Sequence, residues 1–75
     1  MYTGYYIQDG YVYGPDGYTG SWLDDGNYIY STDGGYTQCW VEDGHVYSTD
    51  GGYTGFYVSD GHIYGPSASL PWLRR

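Results

Sequence analysis

The chain has a single cysteine, Cys39, so no disulfide can form within it. It has no lysine, and its only arginines are Arg74 and Arg75, the last two residues. Against them stand nine Asp and Glu, for a formal charge of −7. A nucleic-acid binder needs a positive footprint, and a membrane-surface binder needs a polybasic patch. Neither is present, so neither partner is expected. No stretch approaches the roughly 20 apolar residues of a membrane helix. The first residues show no basic region followed by an apolar run, which makes the cytoplasm the expected location. Gly or Pro recurs too often for a helix of even three turns.

Aliphatic residues are scarce as well. Ile7, Val12, Leu23, Ile29, Val41, Val46, Val58, Ile63, Leu70 and Leu73 are all the Val, Ile and Leu there is. Thirteen Tyr and three Trp provide the rest of the apolar area, each burying ~150–250 Å² when packed. Fourteen Gly raise the entropy cost of ordering the chain. A 75-residue domain with so thin a core is expected to gain by self-association.

What the chain does have is repetition. Tyr2, Tyr18, Tyr36 and Tyr53 each open a copy of one pattern: Tyr-Thr-Gly-x-aromatic-aliphatic-x-Asp-Gly-x-aliphatic-Tyr, then a turn. The copies cover 2–17, 18–35, 36–52 and 53–65. Self-similarity at a fixed period fixes architecture before any single residue does. Tyr, Trp, Thr, Val and Ile favour a pleated surface, and Asp-Gly between two such runs marks a two-residue hairpin turn. Strands are predicted at 3–8 and 11–13, 19–24 and 28–31, 37–42 and 45–48, and 54–59 and 62–64.

The second copy has one extra residue at Asn27-Tyr28-Ile29-Tyr30, which a bulge or a three-residue loop would absorb. Between hairpins, Gly14-Pro15-Asp16-Gly17 suits a type I turn. Asp33 and Asp50 are expected to accept hydrogen bonds from nearby backbone N–H groups in their own turns. Gly4, Gly20 and Gly55 recur within strands, with Gln38 in the fourth copy, and suggest a bulge or a close backbone approach. Were four hairpins to converge on an axis, they would crowd there.

Alternation assigns the faces. Ile7, Leu23, Val41 and Val58 share one with Tyr5, Ser21, Cys39 and Phe56, and this face is predicted to be the core. Tyr6, Trp22, Trp40 and Tyr57 lie on the other, beside Gln8, Asp24, Glu42 and Ser59. The tail, 66–75, breaks the repeat with Pro66, Pro71 and three large apolar residues, and should fold back as a cap. The whole is one all-β domain of four tandem β-hairpin repeats with pseudo-four-fold symmetry. An open single-layer hairpin array is the alternative.

The Tyr/Trp-aliphatic-x-Asp-Gly-x-Val/Ile-Tyr hairpin, in four copies with a Gly-Pro…Leu-Pro tail, resembles the bacterial four-fold β-flower proteins over about residues 4–72. The resemblance implies four hairpin petals around a pseudo-four-fold axis, and it implies no functional residue. Tyr18-Thr19-Gly20-Ser21-Trp22 and Tyr53-Thr54-Gly55-Phe56-Tyr57 also resemble MORN repeats, though the copies here are short for that family and lack its second glycine-rich half.

No nucleophile motif frames Cys39 or Ser21, so catalysis is not expected. Cys39 reads as a small core thiol. His45 and His62 occupy equivalent positions but lack a third ligand for zinc. The Ser-Thr-Asp-Gly-Gly turns do not match a calcium loop. No cofactor is expected. The constellation with chemical content is aromatic: Tyr6, Trp22, Trp40 and Tyr57, with Asp24 and Glu42 close in sequence. Two functions follow. The first is a non-enzymatic structural or interaction module, a homo-oligomer built through tyrosine-rich faces or exposed strand edges. The second is a multivalent carbohydrate-binding protein, taking a glycan or another small-molecule ligand on those rings.

Overall fold

The computed structural model describes residues 1–73. Eight antiparallel strands run in hairpin succession: β1 (Tyr2–Gln8), β2 (Tyr11–Gly14), β3 (Gly17–Leu23), β4 (Tyr28–Ser31), β5 (Gly35–Glu42), β6 (His45–Ser48), β7 (Gly52–Ser59) and β8 (His62–Tyr64). Each pairs with its chain neighbours, and β8 pairs with β1, so the sheet closes into a barrel. The four hairpins thus surround a pseudo-four-fold axis, and the open row is not formed. Closure leaves no sheet edge for another strand to extend.

The turns follow their sequence. Asp9-Gly10, Asp43-Gly44 and Asp60-Gly61 have positive φ at both residues, from 51° to 85°, as a type I′ hairpin requires. The second hairpin pairs Leu23 with Ile29, and Asp24 N–H donates to Tyr28 O at 3.1 Å. A three-residue loop, Asp25-Gly26-Asn27, absorbs the extra residue, with Asn27 at φ 64°. Each hairpin tip also holds the next. Gly10 O accepts from Leu23 N–H at 2.7 Å, Asn27 O from Val41, Gly44 O from Val58, and Gly61 O from Ile7.

Between hairpins the expectation for Asp33 and Asp50 is corrected. Their own N–H groups donate to Ser31 Oγ and Ser48 Oγ, both at 3.2 Å. The serine hydroxyls are already oriented at the strand ends, two residues back, where an ST-turn forms.

The recurrent strand glycines mark bulges. Gly4, Gly20 and Gly55 have φ near 90° and Gln38 has φ 75°, and the pairing register shifts in each neighbouring ladder. A bulge breaks ladder hydrogen bonds, and the preceding threonine replaces them. Thr3, Thr19, Thr37 and Thr54 each donate Oγ1–H to a carbonyl of the adjacent strand (Ile63, Val12, Ile29 and Val46) at 2.7–2.8 Å. Each also accepts the N–H two residues on, at 3.1–3.3 Å. The hydroxyl thus takes both roles that the missing ladder bond would have filled.

Alternation predicted the interior face correctly, but not its centre. Val12, Ile29, Val46 and Ile63, all in the short strands, are fully buried. Ile7, Leu23, Val41 and Val58 are only half-buried and pack against them from the hairpin-tip end. Ser21, Cys39 and Phe56 are buried as expected, with Tyr5 partly so. The tail caps the opposite end. Leu70-Pro71-Trp72-Leu73 forms a turn, with Leu73 N–H donating to Leu70 O at 3.1 Å, and it drives Leu70 and Trp72 into the core. Arg74 and Arg75, the remainder of the predicted tail, lie outside the described residues.

Candidate functional site

The outward face of the barrel is clad in rings. Tyr6 stacks on Tyr13, Trp22 on Tyr30, Trp40 on Tyr47 and Tyr57 on Tyr64, with centroids 5.3–5.8 Å apart and planes within 13–19° of parallel. These are cross-strand partners within one hairpin, brought opposite by the register set at the turn. The tyrosine opening the next copy leans on each stack. Tyr18 contacts Tyr13, Tyr36 contacts Tyr30, Tyr53 contacts Tyr47 and Tyr2 contacts Tyr64, tilted by 46–53°. A fourth ring closes each cluster edge-on: Tyr11, Tyr28, His45 and His62. His62 reaches Tyr6 as well, at 6.3 Å. Four ring clusters therefore form a girdle.

The four aromatics singled out from sequence each belong to a different hairpin, so they line four sectors of the barrel instead of one pocket. Their stacked partners were not foreseen. The signal was the tyrosine at the third position of every second strand, Tyr13, Tyr30, Tyr47 and Tyr64, which the period-2 pattern places on the outer face. Stacking occupies one face of each ring in the four pairs. Tyr57, Tyr2, Tyr28, Tyr11, Tyr18 and Tyr53 are 40–50% exposed.

The two carboxylates have separate tasks. Asp24 Oδ1 accepts from Gly26 N–H at 2.9 Å and Tyr28 N–H at 3.0 Å, which shapes the enlarged turn. Glu42 Oε1 accepts from Trp40 Nε1–H at 3.3 Å on the surface. His45 and His62 are exposed, each with Nδ1 3.1 Å from a turn carbonyl, Asp43 O and Asp60 O. They stand on separate strands, β6 and β8. Among the described residues no group of three or more His, Cys, Asp or Glu is placed to hold a metal ion. Cys39 is buried in the core.

A cleft of about 360 Å³ opens between the β4–β5 turn and the tail. Asp33, Ser31 and Tyr36 line it on the turn side, Trp72 and Leu73 on the tail side. Thr19, Thr37 and the glycines Gly34 and Gly35 complete its lining.

The Tyr36 phenol is held above the ordinary value of 10.0, chiefly by burial, then by Tyr28, Cys39, Tyr30 and Asp24 nearby. The native state therefore keeps this proton more tightly than the unfolded chain does. Its contribution to stability is complete below pH 10 and is lost as pH rises from there through the native value. Thermal melts from pH 8 to pH 11 should show this fall beyond about pH 10, and Tyr36→Phe should make it shallower.

Comparison of the chain with protein families, with curated proteins and with solved structures finds no match, so its function has to be argued from this girdle alone.

Proposed function

We propose that the protein is a non-catalytic interaction module, a closed barrel that associates with copies of itself through its aromatic girdle. The observation that carries this is the girdle itself, with six tyrosines at least 40% exposed on a rigid sheet. Tyrosine supplies contact area at low entropy cost and is enriched where proteins meet. These rings are already fixed by their neighbours, so little side-chain freedom remains to be lost on docking. Of the two routes expected from sequence, faces and edges, closure of the sheet leaves the faces.

The carbohydrate reading needs open ring faces. Tyr6, Trp22, Trp40 and Tyr57 each have one face against a tyrosine and lie on four separate hairpins, so they do not converge on one ligand, which favours the first reading.

Light scattering over a concentration series tests it. A discrete or growing oligomer is expected, and Tyr53→Asp and Tyr28→Asp should dissociate it while circular dichroism reports an intact fold. A chain that stays monomeric, and whose tryptophan fluorescence soluble glycans quench until Trp40→Ala removes the effect, would carry the carbohydrate reading instead.

A further inference from the structure

The four-fold repeat supplies its own control. Where two copies show what the fold needs, departures in the other two show what it does not. At the stacked outer position, copies one and four have Tyr6 and Tyr57, followed two residues on by Gln8 and Ser59. Copies two and three have Trp22 and Trp40, followed by Asp24 and Glu42. All four stacks have the same geometry, so neither tryptophan nor a neighbouring carboxylate is required to build them, although Asp24 also shapes the enlarged turn of copy two. Both departures fall on neighbouring hairpins, and Tyr28, paired directly with Trp40, stands between them, 45% exposed. Tryptophan is the best cation–π partner, and a carboxylate beside it favours a guanidinium.

The charge is distributed to match. Asp9, Asp24, Asp25, Glu42, Asp43 and Asp60 lie at or beside the hairpin tips. Asp16, Asp33 and Asp50 lie in the turns at the other end. The chain's only two arginines directly follow Leu73, which lines the cleft beside the β4–β5 turn at that second end. The hairpin-tip end thus carries six of the nine carboxylates, and both arginines follow in sequence a residue that lies at the other end.

We infer that copies associate head to tail, with the Arg74–Arg75 segment of one docking on the Trp22–Tyr28–Trp40 sector of the next, between Asp24 and Glu42. This rests on the girdle being a contact surface and names which sector and which occupant. Such a contact is heterologous: each copy keeps one donor and one acceptor free, so growth continues unless the geometry closes a ring.

A complementation experiment tests it. The donor-dead variant is Arg74→Ser with Arg75→Ser, which touches no described packing. The acceptor-dead variant is Trp22→Tyr, Trp40→Tyr and Glu42→Ser, built from residues that equivalent positions already carry. Each alone should associate about tenfold more weakly than the parent by sedimentation velocity. Mixed, they should form one-to-one dimers and nothing larger, since each retains the half the other lacks. If both variants associate as the parent does, the inference is overturned and the girdle's tyrosines alone make the contact. A parent that is monomeric throughout overturns the inference and the self-association reading together.

Discussion

Gly65→Ser is expected to destabilise the protein by about 3 kcal/mol, the upper part of the range for overpacking, and by much less when combined with Phe56→Cys. A Cβ placed at Gly65 falls on the Phe56 ring, and one at Gly14 falls 2.5 Å from Tyr5 Cε2. The Phe56 ring is 4% exposed inside the barrel and has nowhere to move. Neither Gly14 nor Gly65 has positive φ, so backbone freedom does not explain them; space does. The other two copies show the alternative solution. There Ser21 faces Ser31 and Cys39 faces Ser48. A large ring is matched with glycine and a small side chain with serine. A double-mutant cycle by urea unfolding measures the coupling. Strict additivity would mean that the barrel adjusts elsewhere and that the matching is incidental.

Trp72→Ala is expected to cost about 3–5 kcal/mol, which lowers the melting temperature by roughly 20 °C in a domain of this size. Trp72 is 4% exposed and closes the core together with Leu70. The barrel interior is lopsided: two of its four positions hold Tyr5 and Phe56, the other two only Ser21 and Cys39. The tail brings apolar bulk that the repeats do not supply. Among the described residues neither Trp72 Nε1 nor Ser21 Oγ has a hydrogen-bond partner, so the indole acts chiefly through volume. Trp72→Phe should therefore cost much less than Trp72→Ala. An equal loss from both would show that the N–H matters after all.

Much of this was legible in the sequence. Asp-Gly at four points, flanked by β formers, gives the hairpins, and the strand limits differ from expectation by a few residues at most. Alternation told inside from outside, since Ile7 and Val12 face each other across the first hairpin. It could not tell depth, which depends on position along the barrel axis, and so Val12 and not Ile7 is at the centre. Closure was out of reach for a different reason. It joins Tyr2 to Tyr64, and no local pattern distinguishes a strand that meets its distant partner from one left at an edge. The threonine bridges could have been read from Tyr-Thr recurring before each bulge, had the hydroxyl been weighed as a ladder substitute and not only as a β former. For the candidate site, sequence located one ring of each cluster. The rest depended on which rings the register sets side by side.

The β1–β8 seam also governs how the molecule comes together in time. A hairpin closes in about 1–10 μs, and this chain has four that can do so independently. The seam bonds, such as Thr3 Oγ1 to Ile63 O, join groups 60 residues apart, and their entropy cost is met only when the other strands are in place. Until then the chain is a curved ribbon in which β1 and β8 each have one edge unpaired. At high concentration the β8 of one ribbon can reach the β1 of another before its own, giving a domain-swapped double ring with every native pairing satisfied. Refolding from dilute solution should favour the single barrel, and refolding from concentrated solution the exchanged pair.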